Sequence, residues 1–119
     1  MNEEITKGAE IAKEALEDKK AEDIKVLDLK GMSNIADCFV IASGNNINQI
    51  RAMADEVEEK MFKAGYTLHH FEGYQAGVWI LLDYGDIIVH LFNKENRKFY
   101  NLEKVWSDAE DISKQKNEN

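Results

Sequence analysis

The sequence holds no proline and a single cysteine, Cys38. There is no internal repeat, no low-complexity run and nothing that reads as a linker, so one domain is expected. One cysteine cannot form an internal disulfide, which suits a reducing compartment. Its neighbours Phe39-Val40-Ile41-Ala42 are apolar, so the thiol reads as buried and inert rather than as a nucleophile. No apolar stretch reaches the roughly 18 residues that span a bilayer. The start, Met1-Asn2-Glu3-Glu4, lacks the basic-then-apolar order of a signal peptide. A cytoplasmic location is the expectation.

A positive balance of charge is lacking as well, since acids outnumber bases by 23 to 15. The formal net charge is −8, which opposes direct binding to nucleic acid phosphates and to an anionic membrane. It favours basic proteins as partners, through encounter rate and register. Chemistry-bearing motifs are also missing. There is no Gly-x-Gly-x-x-Gly, no Gly-Lys-Ser/Thr and no Asp-x-Asp. Ser43-Gly44 before a helix therefore reads as an ordinary turn rather than a phosphate cradle. Asp37, Asp83 and Asp86 suit turns and caps better than a divalent cation. His69 and His70 are adjacent in a strand and point to opposite faces, so they share a metal poorly. His90, among apolar residues, reads as a hydrogen-bonded structural histidine. No catalytic residue, no metal site and no cofactor are expected.

What is present is one α/β domain. The 119 residues, 44% hydrophobic, suffice to bury roughly two-thirds of the unfolded surface in one core. Residues 3–20 read as a helix with a stripe of Ile5, Ala9, Ala12 and Leu16. Ile24–Leu29 reads as a strand, with Ile24 and Val26 on one face and Leu27 and Leu29 on the other. Cys38–Ala42 reads as a central strand covered on both faces. Asn46 is placed to cap a helix with the stripe Ile47, Ile50, Ala54, Val57 and Met61, ended by Gly65. Tyr66–Phe71 reads as a third strand. Residues 94–109 suggest short helical turns with Phe99, Leu102, Val105 and Trp106 on the apolar side. The domain is expected to span 1–112, followed by a polar tail at 113–119. The order α-β-β-α-β-β-β-α implies a mixed five-stranded sheet flanked by helices, in which strand two, helix two and strand three form a right-handed parallel crossover.

The densest stretch runs from Gly77 to Phe92. Two apolar arms flank a turn at Asp83-Tyr84-Gly85-Asp86, which reads as a β-hairpin because Gly85 can take positive φ. Alternation puts Trp79, Leu81 and Asp83 on one face and Ile80, Leu82 and Tyr84 on the other. About three helical segments leave five strands incompletely covered. Trp79 thus fits either a core position or an exposed anchor rimmed by acids.

Several stretches together resemble the ribosomal silencing factor family (RsfS, or Iojap-like). They are Asp23-Ile24 with Leu27-Asp28-Leu29 and Gly31; Ala36 through Gly44; Glu72-Gly73; Trp79 through Phe92; Arg97-Lys98-Phe99-Tyr100; and Leu102-Glu103-Lys104-Val105-Trp106. The match covers residues 4–110. The resemblance implies an α/β fold similar to nucleotidyltransferases but without their catalytic carboxylates. It implies a repressor that is not an enzyme. Such a protein binds the large ribosomal subunit through its fourteenth ribosomal protein, blocks joining of the small subunit and lowers translation when nutrients are scarce. It also implies a homodimer when free. Carried over by position, Trp79 and Tyr84 would contact the ribosomal protein, with Leu81 and Asp83 beside them. Many relatives carry serine where Asn46 stands and a basic residue where Asn48 stands; Asn46 keeps the capping role, whereas the uncharged Asn48 puts any salt-bridging role of that helix start in question. The alternative is a divergent nucleotidyltransferase-like enzyme using Ser43, Gly44 and Asp37.

Overall fold

The computed structural model describes residues 1–100 and 110–113. In chain order these form α1 (Glu3–Asp18), β1 (Glu22–Asp28), β2 (Cys38–Gly44), α2 (Ile47–Lys63), β3 (His70–Glu72), β4 (Trp79–Asp83), β5 (Ile87–Asn93), α3 (Lys94–Tyr100) and β6 (Glu110–Asp111). The expected mixed α/β sheet of five strands is present. It is extended beside β1 by the two-residue β6, giving the order β3-β4-β5-β2-β1-β6. Of the helical turns expected over 94–109, α3 accounts for the first part, and 101–109 lie outside the described residues. Residues 114–119 of the expected tail lie outside them too, whereas Ser113 is buried.

Local chemistry sets the helix ends. The Asn2 side chain accepts from the Ile5 amide at 2.8 Å, and the Asn46 side chain accepts from the Gln49 amide at 2.8 Å. Each satisfies a backbone donor that the first turn leaves without a partner. Gln49 answers by accepting from the Asn45 amide at 2.7 Å. Its Nε2 donates to the Lys19 and Lys20 carbonyls, both at 3.1 Å, so the start of α2 is tied to the end of α1. The helices then lie along one face of the sheet. A Cβ on Gly8 would stand 2.6 Å from Ile87 Cδ1 and 2.7 Å from the Tyr66 ring. Only glycine lets α1 approach this closely.

The parallel crossover differs from expectation. β2 pairs in parallel with β5, from Cys38↔Ile87 to Gly44↔Asn93, and not with the strand that follows α2. That strand is three residues long, half exposed and antiparallel to β4 at the sheet edge. The reason is burial. A centre between two neighbours needs a run apolar on both faces, and residues 87–92 are buried throughout whereas the segment at 66–72 is mostly wet.

Strand alternation divides the core in two. Val26, Cys38, Val40, Ala42, Ile80, Leu82, Val89 and Leu91 face α1 and α2. Leu27, Leu29, Phe39, Ile41, Ile88 and Phe92 face the other way, with Trp79 and Leu81 packed at their margin.

Candidate functional site

The hairpin of β4 and β5 is closed by the Tyr84 amide donating to the Ile87 carbonyl at 2.8 Å. Gly85 has φ +88°, and its amide donates to Asp83 Oδ1 at 2.7 Å. Asp83 thus serves the turn, as expected for this acid. β4 pairs antiparallel with β5 from Trp79↔Phe92 to Asp83↔Ile88. Trp79, Leu81 and Asp83 consequently share one face, and all three are partly exposed.

Trp79 is held by ring contacts and by a hydrogen bond to His90. Its indole lies 5.2 Å from the Phe92 ring, tilted 31°. Its Nε1–H donates to His90 Nδ1 at 3.1 Å. His90 is buried and meets the Phe39 ring edge-on at 4.5 Å. Burial lowers its pKa from 6.5 to about 4, against the pull of the Asp83 carboxylate. The ring is therefore neutral at pH 7. Because Nδ1 accepts, the proton sits on Nε2, which has no hydrogen-bond partner. The expected structural histidine is found, with one nitrogen satisfied and one not.

Tyr84 does not join this group. It lies on the helix-covered face, 8% exposed, inside the larger core cluster. Its hydroxyl has no hydrogen-bond partner. Burial first, then the Glu58 carboxylate, drives its pKa upward. The structure gathers three of the sequence-derived contact residues on one face and sets the fourth on the other.

The remaining candidates are quiet. The Cys38 thiol is buried and pushed up to about 12, chiefly by burial and then by Asp28; it is not a nucleophile at neutral pH. Ser43 is 1% exposed, and its Oγ accepts from Arg97 Nη1 at 2.7 Å. A Cβ at Gly44 would stand 2.8 Å from Ile50 and 3.1 Å from Met53, so this glycine serves the close packing of the strand end on α2. Among the described residues, no group of three His, Cys, Asp or Glu side chains could hold a metal ion. No described helix is long and apolar enough to cross a membrane.

Sequence reasoning missed Phe62, which is 79% exposed at the end of α2. The signal was available, since residue 62 falls one place past the stripe of Ile50, Ala54, Val57 and Met61. The Trp79–His90 bond had no such signal, because it depends on the register of two strands.

Comparison with known proteins agrees with this architecture. The family model for "Ribosomal silencing factor during starvation" matches residues 2–119. "Ribosomal silencing factor RsfS" of Halalkalibacterium halodurans is 44% identical over 100 residues, covering 84% of this chain and 86% of that one. "Mitochondrial assembly of ribosomal large subunit protein 1" of Mus musculus is 32% identical over 96 residues, 77% of this chain and 42% of that one. A crystal structure of a Chromobacterium violaceum protein superposes with a TM-score of 0.85 at 34% identity, over 90% of this chain and 88% of that one.

Proposed function

The chain belongs to the ribosomal silencing factor family, and we propose that it represses translation by occupying the large ribosomal subunit. In this reading it binds the subunit's fourteenth ribosomal protein and stands where the small subunit must join, at times of nutrient limitation and in the cytoplasm. The observation that carries the reading is the partly exposed Trp79 held by Phe92 and His90, with Leu81 and Asp83 on the same face. A tryptophan whose ring is already fixed loses little freedom on docking. As a central anchor it is worth roughly 2–4 kcal/mol. The net charge of −8 steers the chain toward a basic ribosomal protein. Tyr84 contributes from behind, by packing the turn that presents Asp83. No reaction is required, since one surface cannot hold two bodies. The name of the mouse relative, which refers to the ribosomal large subunit, supports the choice of subunit. When free, the same apolar margin at Trp79 and Leu81 pairs with a second copy.

Co-sedimentation with purified large subunits tests the proposal. The chain should travel with the subunit at moderate salt, and the Trp79→Ala variant should bind at least about tenfold more weakly. Recovery of all the protein at the top of the gradient would remove the reading. Because Trp79 also packs on Phe92, Leu81→Gln serves as a second variant with less effect on folding. Light scattering at micromolar concentration reports the dimer, and a 13.6 kDa species alone would count against it.

The enzyme alternative has weaker support, because Ser43 is already bonded to Arg97 and Gly44 is enclosed. A thermal shift with ATP and magnesium separates the two. A ligand at 100 times its dissociation constant adds about 2.7 kcal/mol, and no shift is expected.

A further inference from the structure

On the helix side of the sheet, on the face opposite Trp79, a groove of about 700 Å³ runs beside the last turns of α2. Asp55, Glu58, Glu59 and Phe62 form one wall; Tyr66, Thr67 and Leu68 form the other, with Tyr84 between them. A second depression of about 530 Å³ continues it toward the start of α1, sharing Gly65, Tyr66, Thr67 and Tyr84. Glu3, Glu4 and Asp86 add carboxylates to that end, and Lys7 an ammonium.

Three independent features meet here. Phe62 is the most exposed of the large apolar side chains among the described residues, at 79%. It follows Met61, which is fully buried, so the helix turns the Phe62 ring outward to the rim. A phenylalanine left in water beside a groove is an anchor without its counterpart. Tyr84 is more than nine-tenths buried, lines both depressions, and its hydroxyl lacks any partner. The Glu58 carboxylate, on the same groove, acts on that buried hydroxyl. Such a group costs stability unless something completes it. The carboxylates supply the third feature. Lys63 Nζ engages Glu59 at 2.9 Å, and the Tyr74 hydroxyl donates to Asp55 at 3.0 Å. Glu58 is in no ion pair among the described residues.

We infer that this groove is a second docking surface, separate from the Trp79 face, and that its occupant is a basic, apolar-bearing segment of a partner protein. A lysine or arginine of the segment lies along Glu58, and an apolar side chain covers Phe62 and Leu68. The acidic walls repel phosphates and anionic lipid surfaces alike. They also oppose a second copy at this groove, where the carboxylates of the two copies would face each other. The inference does not rest on the ribosomal reading, since neither surface needs the other.

An NMR titration of the full-length chain tests it, with a synthetic peptide alternating arginine and leucine as the probe. The peptide should shift the amides of Gly65 and Thr67 and the ring signals of Tyr84, more weakly as salt rises. The same peptide with glutamate in place of arginine should shift nothing. Phe62→Ala should weaken binding about tenfold or more. Trp79→Ala should leave the peptide affinity unchanged, so failure of this surface and failure of ribosome binding give different results. The inference is overturned by absent shifts, or by shifts scattered over the acidic surface and indifferent to Phe62→Ala. It is equally overturned if the peptide-free chain self-associates through these residues.

Discussion

The two faces of the sheet are built from the same strands and close in different ways. The face under α1 and α2 is aliphatic and dry: Ile80, Leu82, Val89 and Leu91 are fully buried. The opposite face adds an aromatic cluster to its aliphatic residues: Phe39, Trp79, His90 and Phe92 touch ring to ring, and a polar hydrogen bond lies inside the cluster. Aliphatic packing has little orientation preference, so it tolerates being large and featureless. Ring contacts and an indole–imidazole bond fix angles. The helix side thus supplies most of the stability, while the aromatic side holds one ring in a defined pose at its margin. Among the described residues each face keeps one orphaned side-chain polar atom, the Tyr84 hydroxyl on one and His90 Nε2 on the other.

Truncation should separate the faces most clearly. Ile80→Ala removes a fully buried side chain from the helix side and should cost about 3–4 kcal/mol in chemical denaturation. Leu81→Ala, one residue along and partly exposed on the other face, should cost less than about 1.5 kcal/mol. Equal losses would dissolve the distinction.

Acid should act on the aromatic face. His90 is neutral in the fold with its pKa lowered from 6.5 to about 4, so the unfolded chain binds the extra proton first. The contribution is therefore complete above pH 6.5 and is lost as pH falls toward 4. The slope within that window is at most about 1.4 kcal/mol per pH unit. Urea midpoints should fall across it in the wild type, and the fall should be shallower in His90→Gln. Trp79 fluorescence should move with the same transition, because protonating Nδ1 removes the acceptor of its Nε1–H. A fluorescence change above pH 6.5 would contradict this assignment.

Tyr84→Phe should do the reverse of an ordinary core substitution. It removes a buried hydroxyl that bonds to nothing, so the fold should gain about 1 kcal/mol, seen as a higher melting temperature. A loss would mean that the hydroxyl is satisfied in solution. Smallest of all, Phe62→Ala should change stability by less than about 0.5 kcal/mol, since the ring is mostly in water. A larger loss would place that ring in the core and remove it from the groove.

Much of this was legible before any coordinates. Ile5, Ala9, Ala12 and Leu16, and Ile50, Ala54, Val57 and Met61, lie buried where helical periodicity set them. Asn46 caps and Gly65 follows the helix at φ +91°. The hairpin and the opposed faces of Trp79 and Tyr84 follow from alternation alone. The parallel partner of β2 was misjudged because chain order favours the next strand, while burial of Ile87–Phe92 favours the later one. Phe62 lies one position beyond a regular buried stripe, so helical periodicity alone gives it no role.

The sequence by itself determined the two long helices with their buried stripes, the hairpin and the family, because periodicity, caps and ordered motifs are local properties. Only the tertiary structure decided which strands became neighbours, that the imidazole of His90 holds the indole of Trp79, and that the hydroxyl of Tyr84 goes unanswered beside an acidic groove. Those facts depend on strand register and on the approach of α1 and α2 to the sheet, and groups distant in the chain meet only once the core has closed.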